Sequence, residues 1–125
     1  MVRIFFISVF LFGFASIFSQ QEQKDTMTIA ELNVKLQSDS DLVVLDVRTP
    51  EELQGPLGKI DGVINIPIQD LEKRIDELKP YKGKEIAVIC RSGMRSQKGT
   101  IILNKNGFKA KNVVGGMLEY RWNGK

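Results

Sequence analysis

The chain has 125 residues, enough for one domain, and its 42% hydrophobic and 26% charged content is ordinary for a soluble globular protein. A single cysteine excludes an intramolecular disulfide, and the lack of histidine excludes a histidine base, catalytic triads that contain histidine, and the usual zinc sites. The net charge of +3 comes without a basic cluster outside one loop, so nucleic acid is not expected as a partner.

Residues 1–19 have the layout of a secretory signal peptide. One charge, Arg3, precedes an apolar run from Ile4 to Phe18, which is shorter than the roughly 20 residues a membrane-spanning helix needs. We predict export to the periplasm with cleavage after Ser19, and no stable membrane insertion afterwards. The alternative is an uncleaved N-terminal anchor. Residues 20–27 are predicted to be a short polar linker and residues 28–125 the domain.

Apolar and amphipathic segments alternate from Thr28 onward. Thr28 and Glu31 form a capping box that predicts the first helix. The continuous apolar run Leu42–Leu45 predicts a strand that is buried on both faces. Thr49 then caps a second helix, with proline at its first position and glutamate at its third. A short strand is predicted at residues 63–65.

The middle of the chain continues this alternation. Apolar side chains at helical spacing predict a helix from Asp70 to Leu78, and Pro80 is expected to end it. The second strongly apolar run, Ile86–Ile89, predicts another buried strand. Strands that alternate with helices in this way indicate an α/β domain with a central parallel sheet and helices on both faces.

The last third of the chain places a cysteine loop at the end of a strand. A helix is predicted from near Ser96 to Asn106, then a strand at residues 113–114 and a short helix in which Trp122 is expected to be a core residue. Ligands of parallel sheets bind beyond the carboxyl ends of the strands. The loop from Cys90 to Arg95 lies there.

The residue types around Cys90 favour a negative charge on its sulfur. Backbone N–H groups of a tight loop, the N-terminus of the following helix and the two arginines would all stabilise a thiolate. We therefore predict that Cys90 is a catalytic nucleophile rather than an inert core cysteine. The residues expected to bind the substrate are those that follow it: Arg91, Ser92, Gly93, Met94, Arg95 and Ser96.

The length of the loop distinguishes between two chemistries. Four residues separate Cys90 from Arg95, whereas cysteine phosphatases cradle their phosphate in a loop that is one residue longer. The shorter loop is expected to be too small for a phosphate ester. A sulfane sulfur on Cys90 is a smaller guest.

The chain resembles the rhodanese family in its single-domain form. Four ordered segments carry the resemblance: Leu45–Glu52, Gly58–Pro67, the loop Cys90–Ser96, and Gly115-Gly116 followed by Trp122. The resemblance implies a sulfurtransferase in which Cys90 takes the outer sulfur of thiosulfate or a similar donor and holds it as a persulfide. Cyanide or a thiol would then accept that sulfur. No cofactor or metal is implied.

Two positions depart from the family pattern, and two charged residues have a structural explanation. Lys59 replaces the usual histidine of the second segment, and Met94 stands where many relatives carry a polar residue. Lys59 is interpreted as structural, while Met94 could favour an apolar acceptor. Asp46 and Arg48 are expected to form an ion pair that supports neighbouring loops rather than to take part in catalysis.

Two other functions are compatible with these residues. One is a non-catalytic rhodanese-like module that binds partner proteins, although such a module has no need of the nucleophile. The other is a redox sensor that uses Cys90 alone, which would require an external thiol because the chain has no second cysteine. The oligomeric state does not follow from the sequence.

Overall fold

The protein folds around a five-stranded parallel sheet with the strand order β1-β5-β4-β2-β3. The structure, a computed structural model, describes residues 25–123. The strands are β1 (Thr26–Met27), β2 (Val43–Asp46), β3 (Ile64–Asn65), β4 (Glu85–Ile89) and β5 (Lys109–Val113). The α-helices are α1 (Ile29–Ser38), α2 (Pro50–Leu53), α3 (Met94–Lys105) and α4 (Gly116–Asn123).

Each face of the sheet is covered by its own hydrophobic cluster. Leu45 and Val88 pack with Leu103 of α3 on one face, together with Leu71 and Leu78 from the segment before β4. On the other face the sheet residues Val44, Ala87 and Ile89 pack with Ile29 and Leu32 of α1 and Met117 of α4. Because alternate strand residues point to opposite faces, the apolar runs of β2 and β4 serve both clusters. The predicted α/β fold, with helices on both faces of a parallel sheet, is confirmed.

Both predicted cap residues begin a helix, but the predicted capping box at Thr28 and Glu31 is only half formed, whereas the box at Thr49 and Glu52 is complete. The Thr28 side chain accepts a hydrogen bond from the Glu31 backbone N–H at 3.1 Å. At α2 the Thr49 side chain caps the Glu52 backbone N–H, and the Glu52 carboxylate accepts from the Thr49 backbone N–H in return. These contacts satisfy backbone donors that a helix leaves unpaired at its first turn. They fix where α1 and α2 leave the sheet.

Three elements differ from the sequence-based expectation. Residues 70–78 do not form one α-helix: two 3-10 helices lie at Ile68–Asp70 and Ile75–Tyr81, and Pro80 is inside the second rather than beyond its end. A 3-10 helix has three residues per turn and an α-helix has 3.6, so apolar residues three or four positions apart are compatible with either helix. Strand β1 pairs with β5 and extends the domain beyond the predicted start at Thr28. Strand β5 is also longer than predicted.

The predictions for the two chain ends differ in how far the structure can be compared with them. The predicted signal peptide and residues 20–24 of the predicted linker lie outside the described residues. Within residues 25–123, no helix is both long enough and apolar enough to cross a membrane. Trp122, expected in the core, is 83% exposed. It lies in the last turn of α4, where the helix has passed the edge of the packed core.

Candidate active site

Three neighbouring strands bring polar residues to the same edge of the sheet. Cys90 follows β4 directly, while Asp46 ends β2 and pairs in register with Ile89. On the other side, Asn112 of β5 is in register with Val88. These are the carboxyl ends of parallel strands, where such sheets bind their ligands. The predicted loop therefore lies at the expected edge.

The sulfur of Cys90 is buried and hydrogen bonded. The residue is 1% exposed, and its Sγ accepts a hydrogen bond from the Gly93 backbone N–H at 3.1 Å. The hydroxyl of Ser96, which is itself completely buried, lies 3.3 Å from Sγ. Helix α3 begins at Met94, two residues earlier than predicted, so its N-terminus adjoins the sulfur. A helix N-terminus favours negative charge in this position.

The surroundings shift the acidity of the thiol in two opposing directions. Burial is the largest single influence and opposes ionisation of Cys90. The Ser96 hydroxyl and the backbone N–H groups of Ser96, Gly93 and Ser92 act the other way, and together they hold the Cys90 pKa below its ordinary value. Hydrogen bonds to a charged sulfur stabilise it where solvent cannot reach. The loop thus favours a thiolate without a histidine.

Two glycines allow the loop to close over Cys90. Gly93 has φ of +106°, and a β-carbon there would lie 3.4 Å from the Gly115 nitrogen. Gly116 has φ of +57°, and a β-carbon there would lie 2.5 Å from the carbonyl oxygens of both Cys90 and Arg91. Only glycine adopts these backbone angles without strain and leaves room for the neighbouring chain. Glycine is therefore required at position 93 by the backbone angle, and at position 116 also by the close approach of the loop.

The N-terminus of α4 holds the loop from the other side. The Met117 backbone N–H donates to the Cys90 carbonyl at 2.8 Å, and the Leu118 N–H donates to the Arg91 carbonyl at 3.0 Å. These are first-turn N–H groups, which have no partner within their own helix. Their bonds to the loop tie the backbone of the nucleophile to α4.

The two loop arginines have different environments. Arg95 makes two parallel hydrogen bonds to the Glu52 carboxylate, at 2.7 and 2.8 Å. This contact lowers the pKa of Glu52 to about 2 and, with a smaller contribution from the charge of Cys90, raises the pKa of Arg95. Arg91 is exposed and forms no ion pair with the residues that the structure describes. Its guanidinium is thus open to an anion in solution.

Asp46 and Arg48 lie behind the site as a buried ion pair. Their side chains are 0% and 1% exposed, with 2.7 Å between Nη2 of Arg48 and Oδ2 of Asp46. Nη2 also donates to the Gly58 carbonyl at 2.7 Å. The Asn65 side chain donates to the carbonyl oxygens of Asp46 and Arg48, both at 2.9 Å. This network joins the end of β2 to the Gly58 loop. Neither Asp46 nor Arg48 forms a side-chain hydrogen bond to Cys90 among the described residues.

One polar residue of the site was not found from the sequence. Asn112 is 8% exposed in β5; its Oδ1 accepts from the Ser96 hydroxyl at 2.6 Å and its Nδ2 donates to the Gly93 carbonyl at 3.2 Å. The signal that could have revealed it is an amide side chain at a buried strand position. Polar groups in such places are almost always hydrogen bonded.

The remaining loop residues form the outer rim. Ser92 is exposed, and Met94 is 79% exposed at the first position of α3. Lys59 follows Gly58 of the Arg48 network, and its carbonyl accepts from Arg121 at 3.2 Å. Within the described part of the chain, no three histidine, cysteine or acidic side chains gather as metal ligands. The arrangement can stabilise a sulfur anion, and the exposed Arg91 guanidinium can attract an anion to the loop.

The chain is similar to proteins of one family along most of its length. The sequence pattern of the rhodanese-like domain matches residues 28–122. "Putative sulfurtransferase YtwF" of Bacillus subtilis (strain 168) is 37% identical over 94 residues, which are 75% of this chain and 87% of that protein. "Putative sulfur carrier protein YrkF" of the same organism is 44% identical over 92 residues, 73% of this chain. The chain spans only 46% of the length of YrkF.

A solved structure agrees with this relationship. The rhodanese-related protein of Thermoplasma volcanium superposes with a TM-score of 0.71 at 33% identity, over 79% of this chain and 92% of that one. The chain belongs to the rhodanese-like domain family.

Proposed function

We propose that this protein is a sulfurtransferase that carries sulfane sulfur as a persulfide on Cys90. The observation that carries the proposal is the environment of Sγ, which accepts the Gly93 N–H at 3.1 Å in a loop that lowers the thiol pKa. A thiolate, not a thiol, is the nucleophile in sulfur exchange. The name of YtwF supports the same reaction class.

The first half-reaction loads the sulfur. The Cys90 thiolate attacks the outer sulfur of thiosulfate, a new S–S bond forms, and the bond between the two sulfur atoms of the donor breaks. Sulfite leaves with the electron pair of that bond, and the negative charge of the thiolate passes to the outer sulfur of the persulfide. Loop N–H groups such as that of Gly93 can stabilise charge at this position.

The second half-reaction removes the sulfur. Cyanide or a thiolate attacks the outer sulfur, the persulfide S–S bond breaks, and Cys90 leaves as a thiolate. Thiocyanate or a new persulfide is the product, and the charges balance in both steps. A leaving thiolate departs faster when its pKa is low, so the same hydrogen bonds serve both halves.

We assign donor binding to the loop arginines. Arg91 is exposed and free of ion pairs with described residues, while Arg95 keeps N–H groups beyond the two that contact Glu52. We expect Arg95→Ala to raise the KM for thiosulfate and slow sulfuration of Cys90. Lys105→Ala, which removes the same charge at the other end of α3, is the matched control and should leave both unchanged. Unchanged kinetics in Arg95→Ala would remove this assignment.

The decisive experiment is intact mass spectrometry after incubation with thiosulfate and then cyanide. We expect a one-sulfur adduct that cyanide removes and that Cys90→Ser does not form. A folded protein with a free thiol and no adduct would contradict the thiosulfate reaction and favour another donor or a protein-binding module. Mixed disulfides or sulfenic acid after peroxide, without sulfur transfer, would identify a redox sensor instead.

We also propose that the protein works outside the cytoplasm. The support is the apolar run that follows Arg3 in residues 1–19. Cell fractionation with N-terminal sequencing of the product tests this: a periplasmic protein that begins near Gln20 is expected. A product that keeps its first residues and sediments with membranes would indicate the uncleaved anchor.

A further inference from the structure

Ser96 has one hydroxyl hydrogen and two neighbours that could accept it. Its Oγ lies 2.6 Å from Oδ1 of Asn112 and 3.3 Å from Sγ of Cys90. All three residues are at most 8% exposed, so both contacts of the Ser96 hydroxyl lie in the interior of the protein. The direction of the Ser96 hydrogen therefore depends on what Asn112 and Cys90 require.

The orientation of the Asn112 amide is fixed by Gly93. Its Nδ2 lies 3.2 Å from the Gly93 carbonyl, which can only accept. The opposite end, Oδ1, therefore faces Ser96 and also can only accept. While the hydroxyl donates to Oδ1, it presents lone pairs to Sγ, an arrangement that suits an S–H donor but not a thiolate.

We propose that Asn112 is a positioning residue that holds the Ser96 hydrogen while Cys90 is uncharged and releases it to Sγ whenever the thiolate forms. This inference rests on the proposed sulfur transfer. The hydroxyl hydrogen turns to Sγ when the thiol ionises before attack. It returns to Asn112 in the persulfide, because the charge then lies on the outer sulfur. It turns to Sγ again when Cys90 leaves, and no covalent bond changes at Ser96 or Asn112.

The consequence is that Asn112 competes with the thiolate for one hydrogen bond. Removing Asn112 should let Ser96 donate to Sγ continuously and make the thiolate easier to form. A residue that merely supported the loop would have the opposite effect, because a loosened loop loses the Gly93 N–H bond to Sγ. The sign of the change in thiol pKa therefore separates positioning from general structural support.

Asn112→Leu is a suitable variant because it keeps the branched shape and the number of side-chain heavy atoms, and because it leaves Gly93 hydrogen bonded. The Gly93 carbonyl also accepts from the Gln97 backbone N–H at 3.2 Å, so the loss of the Asn112 amide does not leave it unpaired. Ser96→Ala removes the hydrogen itself. The pair of substitutions forms a double-mutant cycle in which the effect of Asn112 must pass through Ser96.

Other charges near Cys90 are common to all four proteins of this cycle. They come from the loop and α3, from β2 and α2, and from α4; they are Arg91, Arg95, Asp46, Arg48, Glu52 and Glu119. None of them hydrogen bonds to the side chain of Ser96 or Asn112 among the described residues. Their influence on the thiol therefore cancels in the comparison.

The experiment measures the Cys90 pKa from the pH dependence of alkylation by iodoacetamide, on the whole purified chain without a sulfur donor. A hydrogen bond to a charged sulfur predicts that Asn112→Leu lowers the pKa by about one pH unit and Ser96→Ala raises it by about as much. In the Ser96→Ala background, Asn112→Leu should change nothing. A raised pKa in Asn112→Leu, or an equal decrease in both backgrounds, would overturn the proposal.

A second measurement avoids any change at Asn112. The ¹³Cγ resonance of Asn112 in the unsubstituted protein should titrate with Cys90, because its carbonyl loses the Ser96 hydrogen on ionisation. The titration should largely disappear in Ser96→Ala, and an undiminished titration there would also overturn the proposal. Both readouts are independent of sulfur transfer. A protein with the expected pKa pattern that takes up no sulfur would contradict the proposed function alone.

Discussion

Replacing Gly116 by alanine should damage the site because the β-carbon would meet the backbone of the cysteine loop. Its φ of +57° strains a residue with a β-carbon, and that carbon would lie 2.5 Å from the carbonyl oxygens of Cys90 and Arg91. The loop would have to move away from α4. Its hydrogen bonds from the Met117 and Leu118 N–H groups, at 2.8 and 3.0 Å, would break.

The magnitude can be built from these contacts. Left-handed backbone strain costs about 1–2 kcal/mol for alanine, and each lost hydrogen bond costs about 1 kcal/mol. With some repacking of the loop, we expect a loss of about 3–5 kcal/mol in the free energy of unfolding. That is a large fraction of the roughly 5–15 kcal/mol typical of a domain.

Two other glycines are matched controls. Gly62 has φ of +80° with nothing within 4 Å of a β-carbon, and Gly83 is equally open and its φ lies outside the left-handed range. Gly62→Ala should cost only the strain, about 1–2 kcal/mol, and Gly83→Ala should be neutral or stabilise by up to about 1 kcal/mol. Urea unfolding measures all three. If Gly116→Ala were no worse than Gly62→Ala, the close contact would not constrain the loop and this reasoning would fail.

Three further predictions concern the pairs and surfaces around the site. Glu52→Gln removes a carboxylate whose folded pKa is about 2 against an ordinary 4.5. As the pH falls through that range, the unsubstituted protein should lose about 1 kcal/mol more stability than the variant, a small difference because the pair is partly exposed. Equal pH dependence of the two proteins in urea unfolding would contradict this. Arg48→Met leaves the buried Asp46 carboxylate without its partner and should lower the free energy of unfolding by about 3–5 kcal/mol. Adding Asp46→Asn should recover part of that loss. Additive losses in the double variant would argue against a buried pair. Trp122→Ala should change stability by less than about 0.5 kcal/mol, whereas Leu103→Ala should cost about 2–5 kcal/mol, and similar values in thermal unfolding would place Trp122 in the core after all.

The sequence predicted the parts of the fold that local pattern determines. The runs at Leu42–Leu45 and Ile86–Ile89 are apolar at every position, as a strand covered on both faces requires, and both are strands at the centre of the sheet. Thr26–Met27 gave no such signal because two residues become a strand only through pairing with β5. The 3-10 helices before β4 were not predicted for a different reason. The spacing of apolar residues indicates which face of a helix is buried, but not how many residues the helix has per turn.

The same difference between contiguous residues and residues that the fold brings together applies to the candidate site. Cys90 and its loop could be predicted because the strand, the glycine and the helix start are contiguous in the chain. The side chains that set their charge are distant: Glu52 is 43 residues from Arg95, and Asn112 is 16 residues from Ser96. The sequence predicts Glu52 only as part of a helix cap. In the structure its carboxylate accepts hydrogen bonds from both Thr49 and Arg95.

This difference has a chemical consequence for sulfur transfer. Backbone N–H groups such as that of Gly93 offer a fixed stabilisation to any sulfur anion, so they favour the thiolate in every state of the cycle. A hydroxyl that can turn between Cys90 and Asn112 offers a stabilisation that follows the charge. In the proposed cycle Sγ is a thiolate before loading and after unloading, and it is uncharged in between. The contiguous loop can therefore account for the lowered pKa of the thiol, while the proposed exchange with Asn112 of β5 would let the Ser96 hydrogen bond follow the charge on Sγ.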